Sequence, residues 1–139
     1  MNDYSYSELS VGMTESFLVT IEQSMMDMFQ AITQDNNPLH VDEEFARSHE
    51  FPDRVVYGLL TSSFLSTLAG VYLPGKCSLI QGVDVKYVQP VFVGDTLSIC
   101  GEIVELHDSV QQMVLKVEIR NQHNVKVVRG KMKVGLLKE

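Results

Sequence analysis

The sequence predicts an α+β fold: a curved antiparallel sheet with its helical material gathered on one face. Three observations predict it. Apolar residues recur at helical spacing early in the chain, the stretch from Val55 to Gly75 carries no charge, and from Cys77 onward the apolar period drops to two. At 139 residues the chain fits one domain, 1–139. A chain of that length hides roughly two-thirds of its unfolded surface, so a core is available.

Each element follows from local pattern. Glu15 to Val19 reads as a short strand. Ile21, Met25, Met28, Phe29 and Ile32 then form an apolar helical stripe, with Thr20 and Gln23 as a capping box and the methionines as core filler. Pro38 biases Asn37 toward extended backbone, so this helix stops near Asn36. Val41 to Ser48 reads as a helical turn, with Asp42, Glu43 and Glu44 near its start where carboxylates suit the dipole. The uncharged helix follows over about Gly58 to Tyr72 and is closed by Leu73-Pro74-Gly75. Leu79, Val83, Val85 and Tyr87 line one face of a strand interrupted at Gln81. Gly94-Asp95, His107-Asp108-Ser109 and Asn121 to Asn124 are turns. Between them alternate Leu97, Ile99 and Ile103, then Met113, Leu115, Val117 and Ile119. In the last strand the apolar set moves from Val125/Val127 to Val128/Met132/Val134, a parity switch that predicts a bulge near Val127. A long central helix wrapped by a curved antiparallel sheet satisfies this order, and that architecture is the hot-dog fold. Edge-to-edge pairing of two sheets would cover an exposed edge strand, which predicts a homodimer.

Composition excludes several classes. With 45% hydrophobic and 21% charged residues, the chain reads as an ordinary globular protein. Eleven basic against eighteen acidic residues leave a net charge of −7 with no basic run, so no nucleic-acid partner is expected. Cys77 and Cys100 form no C-x-x-C pair and read as small buried hydrophobes; with no signal-peptide pattern at the N-terminus, a cytoplasmic location is expected. The span Val55–Gly75 is long enough to cross a bilayer. Thr61, Ser62, Ser63, Ser66 and Thr67 crowd its middle and no basic cluster flanks it, so a buried helix is expected and no membrane partner.

Residues Ile32 to Val41 read ITQDNNPLHV, and the chemistry sits on Asp35 and His40. On an ideal helix their side chains would point about 140° apart. On an extended strand they would stand roughly 16 Å apart. Only a tight turn brings them together, and Asn36-Asn37-Pro38 is a turn sequence. An acid and an imidazole converging on one point can hold a water and move its proton. The same spacing also fits an ordinary loop after a helix.

The blocks DNNPLHVDEEFA, VVYGLLTSSF and QPVFVGD, in that order, resemble the MaoC-like family of (R)-specific enoyl-CoA hydratases. That family carries a D-x-N-P-x-H motif before its central helix and a P-V-x-x-G-D turn between sheet strands. The resemblance implies reversible syn hydration of a trans-2-enoyl thioester, linked to CoA or an acyl-carrier protein, to the (R)-3-hydroxyacyl thioester. It implies no cofactor and no metal. It puts Asp35 and His40 on the catalytic pair that grips the attacking water, and Asn37 on the motif's Asn, bracing the turn. Gly58 falls on the glycine whose backbone N–H faces the thioester carbonyl from the positive end of the helix. Ser63 falls where the family often has Ser, with a supporting contact expected. One position departs: family members often have His before that glycine, and here it is Tyr57, a phenol that packs and donates but does not titrate near neutrality.

Leu60, Phe64 and Leu68 on the central helix, with Met28 and Phe29 on the first, are candidates for an acyl slot, although each also reads as plain core. Arg54, Lys76, Lys86 and Arg129 read as solvated surface charges rather than phosphate contacts. Two other functions fit a hot-dog protein. A thioesterase would need a carboxylate on or beside the central helix, and none lies between Asp53 and Asp84. A non-catalytic binder of acyl thioesters is prompted by Tyr57. A metal site on His40, Asp42, Glu43 and His49 matches no ligand spacing such as H-E-x-x-H. His49, His107 and His123 read as surface or loop histidines.

Overall fold

The alternating apolar residues after Cys77 close into one antiparallel sheet, and the uncharged helix lies against its inner face. The computed structural model describes residues 1–138, so the last residue of the 1–139 span lies outside the described residues. Strand β1 (Thr14–Thr20) is followed by α1 (Gln23–Thr33), two short helices α2 (Pro38–Val41) and α3 (Glu43–Ser48), and the central helix α4 (Gly58–Thr67). The last turn of α4 widens into a π-helical segment, Leu68–Tyr72. Four strands complete the chain: β2 (Ser78–Tyr87), β3 (Thr96–His107), β4 (Gln112–Arg120) and β5 (Lys126–Leu136). Their order across the sheet is β1-β3-β4-β5-β2, with every pair antiparallel. This is the hot-dog arrangement.

Inner-face residues of the middle strands make the core. Leu97, Ile99, Ile103, Met113, Leu115, Val117, Ile119, Met132 and Val134 are fully buried, as are Leu65 and Leu68 opposite them. Gly101 lets the central helix come this close: a Cβ there would stand 2.9 Å from Leu68 Cδ2, inside any real carbon contact. The bulge expected near Val127 is present, since Ile119 pairs with Val128 and Arg120 with Lys126, which leaves Val127 extra. Both Val127 and Val128 are buried as a result. A second irregularity at Gln81 breaks the register of β2 against β5.

Several expectations are corrected. The capping box of α1 does not form: Glu22 is its N-cap, without a side-chain bond. Thr20 pairs instead with the Thr96 hydroxyl at 2.9 Å, and Gln23 with Asp27 and Arg54. The helix also ends earlier, at Thr33, because Gln34 adopts left-handed backbone (φ 62°) and its N–H caps the Gln30 carbonyl. The buried face of α1 centres on Met26, with Met25 and Phe29 partly covered, while Met28 and Ile32 are exposed. Helical periodicity identifies a stripe but not how far the sheet covers it. Cys77 and Cys100 are half-buried rather than buried, Cys77 lying beside Asp3 and Cys100 beside Ser98. No described helix is long and apolar enough to cross a membrane.

Candidate active site

The loop ahead of α4 is built by side chains that bond nearby backbone. Thr33 Oγ1 accepts from the Asp35 N–H at 3.2 Å, and Asp35 Oδ1 accepts from the Asn37 N–H at 3.0 Å. Asn37 Oδ1 accepts from the Leu39 N–H at 3.0 Å, so Asn37 caps α2, with Pro38 at its first position. Asp42 caps α3 through the Phe45 N–H. Each acid or amide thus turns the chain at the next step, which is the chemistry of Asx turns.

His40 lies on α2 and is half-buried. Its Nδ1 is 2.7 Å from the Val55 carbonyl oxygen. A carbonyl only accepts, so Nδ1 carries the hydrogen and Nε2 of the neutral ring is left as an acceptor. The Leu39 carbonyl takes the Val55 N–H at 3.1 Å, so the two segments hold each other in both directions.

Asp35 and His40 share no direct hydrogen bond among the described residues; Tyr57 connects them. Its hydroxyl donates to the Asp35 backbone carbonyl at 2.7 Å, and its ring stacks on the His40 ring with centroids 4.2 Å apart. Phe29 packs on Tyr57 as well, at 4.7 Å. Tyr57 is 2% exposed, and burial, followed by the nearby Asp35 and Asp27 carboxylates, pushes its phenol pKa up.

Gly58 opens α4, so its N–H is one of the first-turn donors that no helical carbonyl satisfies. His40, Gly58 and Thr61 line a cleft of about 300 Å³ whose other walls include Val55, Val56, Val91, Val127, Val128 and Tyr87. A Cβ at position 58 would meet the Tyr87 ring at 3.2 Å, so glycine leaves room for that wall. The structure therefore brings His40 and Gly58 to one cleft. Asp35 is exposed and is not among the residues lining that cleft; its main-chain carbonyl is bonded by Tyr57, the neighbour of Gly58, while Asn37 stands in the turn.

Other expected site residues fall elsewhere. Ser63 spends its hydroxyl on the Leu60 carbonyl of its own helix at 2.6 Å, whereas its neighbour Ser62 bonds the Tyr87 hydroxyl at 2.8 Å. Leu60, Phe64, Leu68, Met28 and Phe29 do not line this cleft; its apolar walls are valines from strand ends and connections, with Phe51, Tyr87 and Pro90. Leu68 is core under Gly101. Arg54 bonds Gln23, and Lys76 lies 3.9 Å from Asp3. His49 bonds the Phe45 carbonyl and packs on the Phe45 ring.

Sequence reasoning missed Thr61. It is 2% exposed, and its hydroxyl is buried with no hydrogen-bond partner among the described residues. Among the five hydroxyl residues of this helix, nothing in the sequence marks Thr61 as the one that faces a cleft.

Comparison with known proteins identifies the family. A family model described as MaoC like domain matches residues 10–127. An (R)-specific enoyl-CoA hydratase of Aeromonas caviae is 33% identical over 132 residues, covering 95% of this chain and 98% of that protein. The (R)-specific enoyl-CoA hydratase of Rhodospirillum rubrum is 31% identical over 93 residues, 67% of this chain and 65% of that protein. Among solved structures, the unliganded R-hydratase PhaJ1 from Pseudomonas aeruginosa superposes with a TM-score of 0.89 at 27% identity, over 96% of this chain and 86% of that one. The chain thus belongs to the MaoC-like family of hydratases and dehydratases.

Proposed function

We propose that this protein catalyses reversible syn hydration of a trans-2-enoyl thioester, carried on CoA or an acyl-carrier protein, to the (R)-3-hydroxyacyl thioester. The observation that carries the reading is the ring of His40, fixed through Nδ1 with Nε2 left as an acceptor, in a cleft that Gly58 at the start of α4 also lines.

Adding water to the conjugated thioester builds negative charge on the carbonyl oxygen. A preorganised donor at that oxygen is the largest lever, worth roughly 3 kcal/mol in comparable sites. The Gly58 N–H is that donor. One water, held between the Asp35 carboxylate and His40 Nε2, supplies hydroxide to C3 and a proton to C2 on one face. One of the two groups takes the proton of that water while the other returns one to the substrate. Asn37 holds the turn that presents Asp35.

We also place the protein as a homodimer of one such domain per chain, joined along β2. That strand is a sheet edge, ten residues long, and exposes Leu79, Ile80, Val83 and Tyr87. Long apolar edges are covered in stable proteins, and a two-fold axis beside β2 covers this one with its own copy. Tyr87 ends β2 and walls the cleft, so the second chain approaches the site.

The test is an absorbance assay over a series of 2-enoyl-CoA chain lengths, with free thiol followed in parallel. Loss of enoyl absorbance without thiol release is expected, with activity falling on dilution to the monomer. Thiol release would make the protein a thioesterase, and binding without turnover at every chain length would make it a binding module.

A further inference from the structure

We propose that Tyr57 is a positioning residue of this site: one side chain that holds the Asp35 main chain and the His40 ring in a common frame. The proposal rests on the hydration reading above and names what keeps its two reacting groups in register.

Each reacting group is tied down by nearly all of its other atoms. The Asp35 N–H is held by Thr33 Oγ1, its Oδ1 by the Asn37 N–H, and its carbonyl by the Tyr57 hydroxyl. What remains is Oδ2. His40 Nδ1 is held by the Val55 carbonyl and one ring face by Tyr57. What remains is Nε2. Tyr57 is the residue common to both sets. It is also the N-cap of α4, and its carbonyl takes the Thr61 N–H at 3.1 Å, so it adjoins the Gly58 amide through the backbone.

A phenylalanine would fill the same buried volume, so packing alone does not account for the hydroxyl. A buried O–H needs an acceptor, and here it takes the main-chain carbonyl of the acidic residue itself, 22 positions away. Asp35 is otherwise exposed and, apart from this bond, is held only by its immediate neighbours. Burial keeps the phenol protonated well past neutrality, so the donor is present wherever the enzyme works. A small misplacement of a reacting group costs rate far more than it costs stability.

Tyr57→Phe removes the O–H and keeps the ring. The expected result is kcat lower by about tenfold with KM within twofold, the split that marks loss of transition-state geometry rather than of binding. Melting temperature stays close to the parent, and the loss is equal across neutral pH because no titrating group has been removed. Incorporating 4-aminophenylalanine at position 57, which restores an N–H donor of similar reach, returns most of kcat. Tyr57→Leu, which also removes the stack on His40, loses more than Tyr57→Phe. A Tyr57→Phe enzyme with kcat within twofold of the parent, while Asp35→Asn is inactive, would overturn the positioning role and leave the hydration reading intact. A loss confined to one limb of the pH profile would overturn it too, by making Tyr57 a titrating acid. Full turnover by Asp35→Asn would instead remove Asp35 from the reacting pair, and this proposal with it.

Discussion

Between Thr33 and Tyr57 the chain is held by directed bonds: Thr33, Asp35, Asn37 and Asp42 each take a nearby backbone N–H, and His40 and Tyr57 each reach one distant carbonyl. In β3, β4 and β5 the hold is apolar burial on a hydrogen-bonded ladder, with Ile99, Ile103, Leu115, Ile119 and Met132 sealed from water. The first region has little core of its own; of its residues before Val56, only Ala46 is buried. The second presents no reacting group to the cleft. Burial is non-directional and tolerates small shifts, whereas a shared water demands fixed angles. A fold that must do both separates them, and substitutions in the two regions are expected to fail in different assays.

The largest expected effect is in the turn. Asp35→Asn and His40→Ala each lower kcat by about a hundredfold to ten-thousandfold, the range for acid–base groups. Thermal unfolding should move little, because both side chains lie at the surface or half-buried. Near-parental turnover in either variant would break the comparison at its functional end. Next is the sheet: Leu115→Ala opens a cavity in the sealed core and costs about 2–5 kcal/mol of unfolding free energy. Denaturant titration reads that loss, while the folded fraction keeps its kcat. A lowered kcat in fully folded Leu115→Ala would mean that the sheet and the turn are mechanically coupled.

The smallest effect lies on the outer face of the sheet. The Lys126 ammonium, 3.1 Å from Glu118, and Arg120, 3.2 Å away, hold the Glu118 carboxyl below its ordinary value, against partial burial. A depressed carboxylate contributes stability above its unfolded pKa, near 4.5, and loses it as pH falls through the folded value. Glu118→Gln should therefore cost under about 1 kcal/mol near pH 7. The difference from the parent should vanish in acid. A difference that persists there would show that the side chain acts by packing and not by charge.

Legibility in the sequence followed the same division. Period-two alternation placed the inward residues Leu97, Ile99 and Ile103 of β3 and Met113, Leu115, Val117 and Ile119 of β4, and the parity switch located the Val127 bulge, because a sheet face is written locally; the register shift of β3 after Ile103 was not read. The ends of the central helix were readable from Gly58 and Leu73-Pro74-Gly75. Less readable was whatever depended on a distant partner. Thr20 looks like a cap until Thr96 arrives beside it, and Met28 looks like core until the sheet stops short of it. The Asp35–His40 turn could be proposed from Asn36-Asn37-Pro38. Its brace could not, since Tyr57 meets Asp35 across 22 residues and Val55 meets His40 across 15. Position 57 did stand out as a departure from its family's usual histidine, a hint of altered geometry without its content.

The extra residue in β5 has a consequence for how this protein tolerates change in chain length. Because Val127 is additional, its carbonyl oxygen stands clear of the regular ladder and accepts from both Val88 (2.9 Å) and Gln89 (3.4 Å), anchoring the chain just past β2 where it walls the cleft. Shortening the β4–β5 hairpin by one residue would straighten the strand, draw buried Val127 into the place of Lys126 opposite Arg120 and release that anchor. Insertions and deletions are therefore better accommodated at the opposite hairpin, Asp108 to Gln111, where the residues are exposed and none lines the His40 cleft.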